Sequence, residues 1–209
     1  MVGRPSVASP DNSADDGPGD LLVVGLGNPG EKYASTRHNV GAWVARELVA
    51  RNSGNLKPSK HESALVDDFR IGGDRLTVAF PTTFMNESGR SVTQLVRRRG
   101  IKDLSRLLVV HDELDLPVGR MKFKFGGGLA GNNGLKSIKA HLHTSDFARL
   151  RIGIGKPTSS RMTGADYVLR SPSRSDRKLL DEVVVNAVEA IEYMMSDGIE
   201  SAMNQYNSL

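Results

Sequence analysis

The chain has 209 residues, of which 38% are hydrophobic and 25% are charged, a composition typical of a soluble globular protein with a sizeable core. It contains no cysteine, which excludes disulfides and thiolate chemistry and restricts any metal site to His and carboxylate ligands. No apolar run approaches the ~18 residues of a membrane-spanning helix. The lack of cysteine also suits a reducing compartment, so we expect a cytoplasmic protein.

Charge is distributed unevenly along the chain. Residues 1–20 carry one Arg against four Asp, a net charge of −3, and because the whole chain carries +4, residues 21–209 carry +7. The first segment lacks the apolar stretch of a signal peptide and the basic character of a transit peptide. We therefore expect a disordered acidic N-terminal tail over 1–20 and one domain over 21–209. The basic domain favours a polyanionic partner such as nucleic acid.

Hydrophobic periodicity predicts the elements of the first half. Residues 21–24 are a short apolar run typical of a buried strand, and apolar residues then recur three or four positions apart after residue 37. Two later apolar stretches flank a Gly-Gly-Asp turn, the pattern of a hairpin. The predicted elements are a strand over 21–24, a helix over about 37–50, a polar loop over 51–60, and strands over 62–70 and 75–80.

The second half continues the alternation of strands and helices. Its clearest element is a C-terminal helix, because apolar residues from Leu179 to Met195 form one continuous helical stripe. The other predicted elements are a helix over 87–99, strands over 107–110 and 119–125, a helix ending near residue 141, and a strand over 148–154. This order predicts a single three-layer α/β domain, with a mostly parallel or mixed sheet flanked by helices.

The string GLGNPG at residues 25–30 contains the G-x-G-x-x-G pattern of dinucleotide-binding proteins. That fingerprint requires a helix that starts at the glycines and an acid about 20 residues further on, at the end of a second strand. No helical stripe begins before Val40, and the acid nearest that distance, Glu47, lies inside the predicted helix. The sequence therefore favours a strand-end loop that presents Asn28 to a ligand.

Polar side chains follow several predicted strands. Asn28 and His38 come after the first strand, Asn86 after the strand ending near residue 80, and Asp112 after the strand at 107–110. If these strands are neighbours, one cleft would hold a His base, a carboxylate to orient it and several carboxamides. Since no activated nucleophile is evident, this inventory favours attack by water on an ester or similar acyl group.

The HDELD string at residues 111–115 has two other interpretations. Its acids could simply be solvent-exposed residues at the end of a strand. Alternatively, His111, Asp112 and Asp115 could bind a divalent metal. Acids and a His occur this close together often by chance, so we prefer the orienting role of Asp112 and expect no metal.

Taken together, these segments closely resemble bacterial-type peptidyl-tRNA hydrolase. The strings that carry the resemblance occur in the family's order; they are VGLGNPGEKYASTRHNVG, PTTFMNESG, HDELDLPVG, KFKFGGG, NNGLKSI and RLRIGIGKP. The resemblance covers residues 21 to about 205. The resemblance implies a monomer with a mixed, twisted sheet between helices. It implies hydrolysis of the ester between a peptide and the 3′ ribose of tRNA, with no metal or organic cofactor.

The resemblance also assigns roles to residues of this chain. The catalytic pair would be His38 as general base and Asp112 as its partner. The expected substrate-binding residues are Asn28, Tyr33, Met85, Asn86, Asn132 and Asn133. The basic residues expected to meet tRNA phosphates are Lys122, Lys124 and Arg151. Phosphate contacts of this kind would make binding depend strongly on salt.

One position departs from the family pattern. Relatives usually carry a His directly before the Asn that corresponds to Asn133, whereas this chain carries Asn132. Asn132 can still donate a hydrogen bond but cannot titrate. Because the family also includes plant organelle relatives recruited to RNA splicing, an RNA-binding role without catalysis is the alternative. The retained His38, Asp112 and family Asn residues favour the enzyme.

Overall fold

The computed structural model describes residues 19–208, so residues 1–18, the greater part of the predicted acidic tail, lie outside the described part. The strands are β1 (Leu21–Gly25), β2 (Lys57–Ser59), β3 (Ala64–Ile71), β4 (Asp74–Pro81), β5 (Leu107–Glu113), β6 (Met121–Phe125) and β7 (Ala148–Gly153). The helices are α1 (Glu31–Ala34), α2 (Val40–Arg51), α3 (Ser88–Arg99), α4 (Asn133–Leu142), α5 (Gly164–Val168) and α6 (Arg174–Tyr206). Short 3₁₀ turns precede α2, α3 and β5.

The seven strands form one mixed sheet in the order β2-β3-β4-β1-β5-β7-β6. β1 pairs in parallel with β4 and β5, and β5 pairs in parallel with β7. The two edges are antiparallel, since β3 pairs with β2 and β4, and β6 pairs with β7. This arrangement confirms the α/β prediction of a mixed sheet. It also brings the carboxyl ends of β1, β4 and β5 to the same edge of the sheet.

Helices cover both faces of the sheet. α2 and α6 pack on one face, and α3 and α4 pack on the other. In β1, Leu21 and Val23 contact the first layer whereas Leu22 and Val24 contact the second. Successive side chains of a strand point to opposite faces, so a strand buried on both faces must be apolar throughout. The three-layer domain expected from the sequence is therefore confirmed.

Several boundaries differ from the sequence prediction. β5 continues through Glu113 instead of ending at residue 110, because residues 111–113 stay paired with β7. The segment predicted as a loop over 51–60 contains β2, and neither α1 nor α5 was predicted. α6 is interrupted at Gly198, which has a φ of 79°. No described helix has the length and apolar character needed to cross a bilayer.

Two polar contacts join the ends of the described chain to the sheet. Asp20, included in the predicted tail, accepts hydrogen bonds from the backbone N–H and the guanidinium of Arg75 at 2.8 and 2.7 Å. Asn207 receives the N–H of Phe123 at 2.7 Å and donates to its carbonyl at 3.0 Å. Asn207 thereby occupies backbone groups of the edge strand β6 that another strand could otherwise pair with.

Candidate active site

A cleft of about 430 Å³ opens at the carboxyl edge of the sheet. Six of the polar residues expected at the site line it, namely Asn28, His38, Asn86, Asp112, Asn132 and Asn133, and so does Met85. Its apolar wall comes from Phe84, Leu114, Val168 and Leu169. The loop after β1, the turns before α2 and α3, the end of β5 and the start of α4 therefore converge as the strand order requires.

The centre of the cleft is a hydrogen bond between the side chains of His38 and Asp112. His38 Nδ1 lies 2.9 Å from Asp112 Oδ2, and the two side chains are 11% and 4% exposed. A carboxylate only accepts hydrogen bonds, so the ring proton belongs on Nδ1 and the lone pair on Nε2. Burial acts to lower the pKa of His38, but the charge of Asp112 and the hydrogen bond to it outweigh burial, so the pKa is raised.

Asn28 is held at both its backbone and its side chain. Its N–H donates to Asn39 Oδ1 at 2.9 Å, and its carbonyl accepts from Asn39 Nδ2 at 2.8 Å. Its side-chain Oδ1 accepts the backbone N–H of Met85 at 2.8 Å. Because a backbone N–H needs an acceptor, the atom that faces Met85 must be Oδ1. Nδ2 is therefore the end of the carboxamide that can donate to a ligand.

The glycines of GLGNPG permit close packing around this loop. A Cβ added to Gly25 would lie 2.1 Å from the carbonyl oxygen of Gly41 in α2, and one added to Gly27 would lie 2.9 Å from Cγ of Asn39. The helix that follows, α1, has a single turn and no buried residue. Gly25 and Gly27 are thus explained by contacts within the protein and Gly30 by its positive φ of 96°, in line with the rejection of the dinucleotide fingerprint. Asn39, which holds the backbone of Asn28, is a residue that motif spacing did not single out.

Tyr33 does not lie where its expected role in substrate binding would place it. It does not line the cleft; its ring packs edge-on against Phe84, with ring centroids 6.5 Å apart. Phe84 is 53% exposed and forms part of the cleft wall. Tyr33 therefore supports a wall residue rather than lining the cleft itself.

The expected tRNA-binding residues lie on β6 and β7, beside a second cavity of about 140 Å³. Lys124 and Arg151 line this cavity, whereas Lys122 is exposed and pairs in register with Arg151. Glu113, which also lines the cleft, accepts a hydrogen bond from Arg151 Nε at 3.0 Å. Because Glu113 is only 2% exposed, it fixes the guanidinium of Arg151 from the buried side.

Arg149 anchors the glycine-rich loop over residues 126–131, part of which lines the two cavities. This side chain is 1% exposed, and it donates to the carbonyls of Gly127, Gly128 and Ser145 at 3.2, 2.6 and 2.8 Å. Burial, followed by the nearby charge of Arg151, lowers the pKa of Arg149. Arg149 was not singled out from the sequence, although it lies two residues before Arg151 on the same face of β7.

The acids and histidine of HDELD make separate contacts. His111 is buried and its Nδ1 donates to the carbonyl of Asp112 at 2.8 Å, while burial lowers its pKa. Asp115 is exposed and contacts Lys156 Nζ at 2.6 Å. Within residues 19–208, no group of three or more His, Asp or Glu side chains could hold a metal ion.

Comparison with known proteins gives a consistent result. A family model described as peptidyl-tRNA hydrolase matches residues 22–209. Peptidyl-tRNA hydrolase of Rhodococcus erythropolis is 45% identical over 184 residues, 88% of this chain and 96% of that protein. Peptidyl-tRNA hydrolase of Haemophilus influenzae is 46% identical over 188 residues, 90% of this chain and 96% of that protein.

The fold agrees as well. The crystal structure of peptidyl-tRNA hydrolase from Acinetobacter baumannii superimposes with a TM-score of 0.84 at 35% identity, and the match covers 90% of this chain and 95% of that one. The family model's match over residues 22–209 includes β1 from its second residue, the six other strands in full and every residue that lines the cleft. The chain therefore belongs to the peptidyl-tRNA hydrolase family.

Proposed function

We propose that this protein hydrolyses the ester bond between a peptide and the 3′ ribose of tRNA, with His38 as the general base and Asp112 as its orienting partner. The observation that carries the proposal is the His38–Asp112 pair inside a cleft lined by carboxamides, in a chain of this family. Release of the peptide would return the tRNA to translation.

The chemistry follows from the atoms that face the cleft. His38 Nε2 takes a proton from water, and the resulting hydroxide oxygen attacks the ester carbonyl carbon. The imidazolium, stabilised by Asp112, then returns the proton to the departing 3′ oxygen of the ribose. The products are a peptide with a free carboxylate and a tRNA with a 3′ hydroxyl. The bonds that change are an O–H bond of water, the bond between the carbonyl carbon and the ribose 3′ oxygen, and the N–H bond that forms and then breaks at His38 Nε2. Asp112 keeps all its bonds.

The carboxamides would bind the substrate and its developing charge. Asn28 presents Nδ2, a donor suited to a substrate carbonyl, because its Oδ1 is occupied by Met85 N–H. Asn86 and Asn133 are exposed and line the same cleft, so both ends of their carboxamides can reach a peptide. Recognition of peptide groups would separate peptidyl-tRNA from ordinary aminoacyl-tRNA.

The cationic edge formed by Lys122, Lys124 and Arg151 would bind tRNA phosphates. It adjoins the cleft through the glycine-rich loop, since Glu113 and Ala130 line both the cleft and the second cavity. A backbone phosphate bound there would place the acceptor end near His38. Such contacts provide affinity without sequence preference.

The direct test is release of the blocked amino acid from N-acetylated aminoacyl-tRNA by the purified protein in the presence of EDTA. We expect release by the parent protein and a loss of about 100- to 10 000-fold in His38→Ala, the usual contribution of a general base. His141→Ala is the matched control, since that exposed His lies on α4 outside the cleft.

Each possible outcome is informative. Absence of release by a folded parent protein, with tRNA still bound, would indicate an RNA-binding member of the family instead of an enzyme. A loss of less than tenfold in His38→Ala would contradict the assignment of the base. A requirement for a divalent metal would restore the metal interpretation of HDELD.

A further inference from the structure

Asn132, the residue that departs from the family pattern, uses both ends of its carboxamide within the protein. Its Oδ1 accepts the backbone N–H groups of Gly134 and Leu135 at 2.9 and 3.1 Å, which makes it the N-cap of α4. Its Nδ2 donates to Asp112 Oδ1 at 3.1 Å. Although Asn132 borders the cleft, these three hydrogen bonds leave little of it to bind a substrate.

Asp112 is consequently held at both carboxylate oxygens. Oδ2 accepts from His38 and Oδ1 accepts from Asn132. A carboxylate with one partner can rotate about its Cβ–Cγ bond, because that torsion has a broad energy profile. The second hydrogen bond restricts this rotation and thereby fixes the direction from which Asp112 holds the His38 ring.

We propose that Asn132 is a positioning residue, which couples the start of α4 to Asp112 and through Asp112 to His38, and that it is not a substrate-binding residue. The inference rests on the proposed function, because the consequence of a misplaced His38 is slower ester hydrolysis. It revises the substrate-binding role that the sequence suggested. It also explains how Asn can serve where relatives usually carry His, since the position requires a donor to Asp112 together with an acceptor for α4.

The charged and titratable groups around Asn132, Asp112 and His38 have other partners, which a substitution of Asn132 would leave in place. His111 and Glu113 flank Asp112 on β5 and contact its carbonyl and Arg151, respectively. Arg37 precedes His38 but pairs with Asp176 at the start of α6. Residues 132–135, the N-cap and first three residues of α4, are uncharged, and Asp166 on α5 contacts Thr163. Replacing the Asn132 side chain therefore alters the hydrogen bond to Asp112 without removing any of these charge pairs.

The first experiment separates positioning from substrate binding. In Asn132→Ser the hydroxyl retains the helix cap but is too short to span the contact with Asp112. We expect kcat to fall roughly 10- to 100-fold, the ratio that corresponds to one hydrogen bond to a charged group, while KM changes less than about twofold. Asn133→Ser, the neighbouring exposed carboxamide, is the matched variant and should raise KM. A raised KM with unchanged kcat in Asn132→Ser would overturn the inference.

The second experiment asks whether Asn132 acts through Asp112. In an Asp112→Ala background the acceptor is gone, so adding Asn132→Ser should lower kcat by no more than about twofold further. If Asn132→Ser retains its full effect in that background, Asn132 acts elsewhere and the inference fails. Thermal unfolding of each variant confirms that all are folded at the assay temperature.

The third measurement needs no turnover. Loss of the Asn132 donor leaves more of the negative charge of Asp112 to stabilise the imidazolium, so NMR should show His38 titrating at higher pH in Asn132→Ser. An unchanged titration would overturn the coupling. This readout also separates the two proposals, since a parent protein that releases no peptide contradicts the function alone, whereas an unshifted His38 contradicts the role of Asn132.

Discussion

His38 Nδ1 lies 2.9 Å from Asp112 Oδ2, and this contact joins the turn before α2 to the end of β5. Burial of the His38 ring acts to lower its pKa, yet the charge of Asp112 and the hydrogen bond to it raise the pKa above the ordinary value of 6.5. A general base must be neutral to accept a proton. In the proposed mechanism, the pair therefore determines the pH below which hydrolysis should fail.

The first prediction concerns this pH dependence. In the parent protein, kcat/KM should decline as the pH falls through a midpoint above 6.5, because His38 becomes protonated there. In Asp112→Asn the burial of the ring remains but the compensating charge is lost, so the midpoint should move to lower pH. The plateau should drop by about 100- to 10 000-fold, since the ring is no longer held in the productive tautomer.

The measurement is a pH–rate profile of ester release between about pH 5 and 9, in which the folded state is monitored at each pH. Asp115→Asn is the matched control, because this exposed acid lies three residues away and contacts Lys156 instead of His38. A midpoint that does not move in Asp112→Asn would show that another group titrates in the profile.

The second prediction tests the cationic edge. Lys124→Ala should weaken tRNA binding and reduce the slope of log Kd against log salt by about one unit, the change expected for one lost phosphate contact. Lys102→Ala, an exposed cation after α3 and outside both cavities, is the matched control and should leave the slope unchanged. If Lys124→Ala leaves the slope unchanged, as Lys102→Ala should, Lys124 does not contact a phosphate and the phosphate site lies elsewhere.

Arg151 needs a different experiment because it would have two partners, the buried carboxylate of Glu113 and a tRNA phosphate. Arg151→Ala would leave Glu113 buried without its cation, which destabilises the fold as well as the tRNA site. Arg151→Ala combined with Glu113→Gln removes that unpaired charge. We expect the double variant to regain thermal stability relative to Arg151→Ala while its tRNA binding stays weak. Recovery of binding together with stability would assign Arg151 a structural role only.

The third prediction concerns the clamp on Asn28. Asn39→Ala removes the partners of the N–H and the carbonyl of Asn28, and Asn28 is only 8% exposed. Because a buried backbone group without a partner costs about 1–3 kcal/mol, the free energy of unfolding should fall by more than about 2 kcal/mol. Asn52→Ala, which removes a bond to the carbonyl of Leu48 at the end of α2, should have a smaller effect on stability.

Ester release by Asn39→Ala measures the functional side of the same contact. Since the loop that presents Asn28 would no longer be fixed, KM for N-acetylated aminoacyl-tRNA should rise even where the variant remains folded. If Asn39→Ala has normal KM and normal stability, the loop after β1 that carries Asn28 keeps its shape without Asn39.

The sequence predicts those parts of the fold and the site that depend on local patterns of residues. β1 and β5 were predictable because a strand covered on both faces has to be apolar at every position. The convergence of Asn28, His38 and Asp112 followed from one rule, that the carboxyl ends of parallel strands share an edge. By contrast, β2 has three residues and α5 has five, too few to show a periodic pattern.

The remaining site residues depend on contacts that spacing does not encode. Asn39 is adjacent to His38 in sequence, but its role comes from the backbone of a loop eleven positions earlier. Arg149 anchors a loop more than 20 residues before it, and Tyr33 packs against Phe84, a residue of the cleft wall. Even the extension of β5 to Glu113 reflects pairing with β7, since polar residues such as Asp112 rarely indicate a buried strand on their own.

The last prediction connects helix packing to the site. Ala is ordinarily favoured over Gly inside a helix by about 1 kcal/mol, yet a Cβ added to Gly41 in α2 would lie 2.3 Å from the carbonyl oxygen of Val110. Since that neighbour is backbone at the core of the sheet, α2 would have to move away from β1 and β5. We expect Gly41→Ala to lower the free energy of unfolding by about 1–3 kcal/mol, as overpacked cores do.

The displacement should also lower the rate of ester release, because the turn that carries His38 leads directly into α2. Gly128→Ala is the matched control for stability, since an added Cβ there meets no atom within 4 Å. Chemical denaturation of both variants, followed by circular dichroism, measures the difference. If Gly41→Ala stabilises the protein as a helix-favouring substitution normally does, then α2 can move away from the sheet without strain, and the close contact between Gly41 and the sheet does not determine where His38 lies.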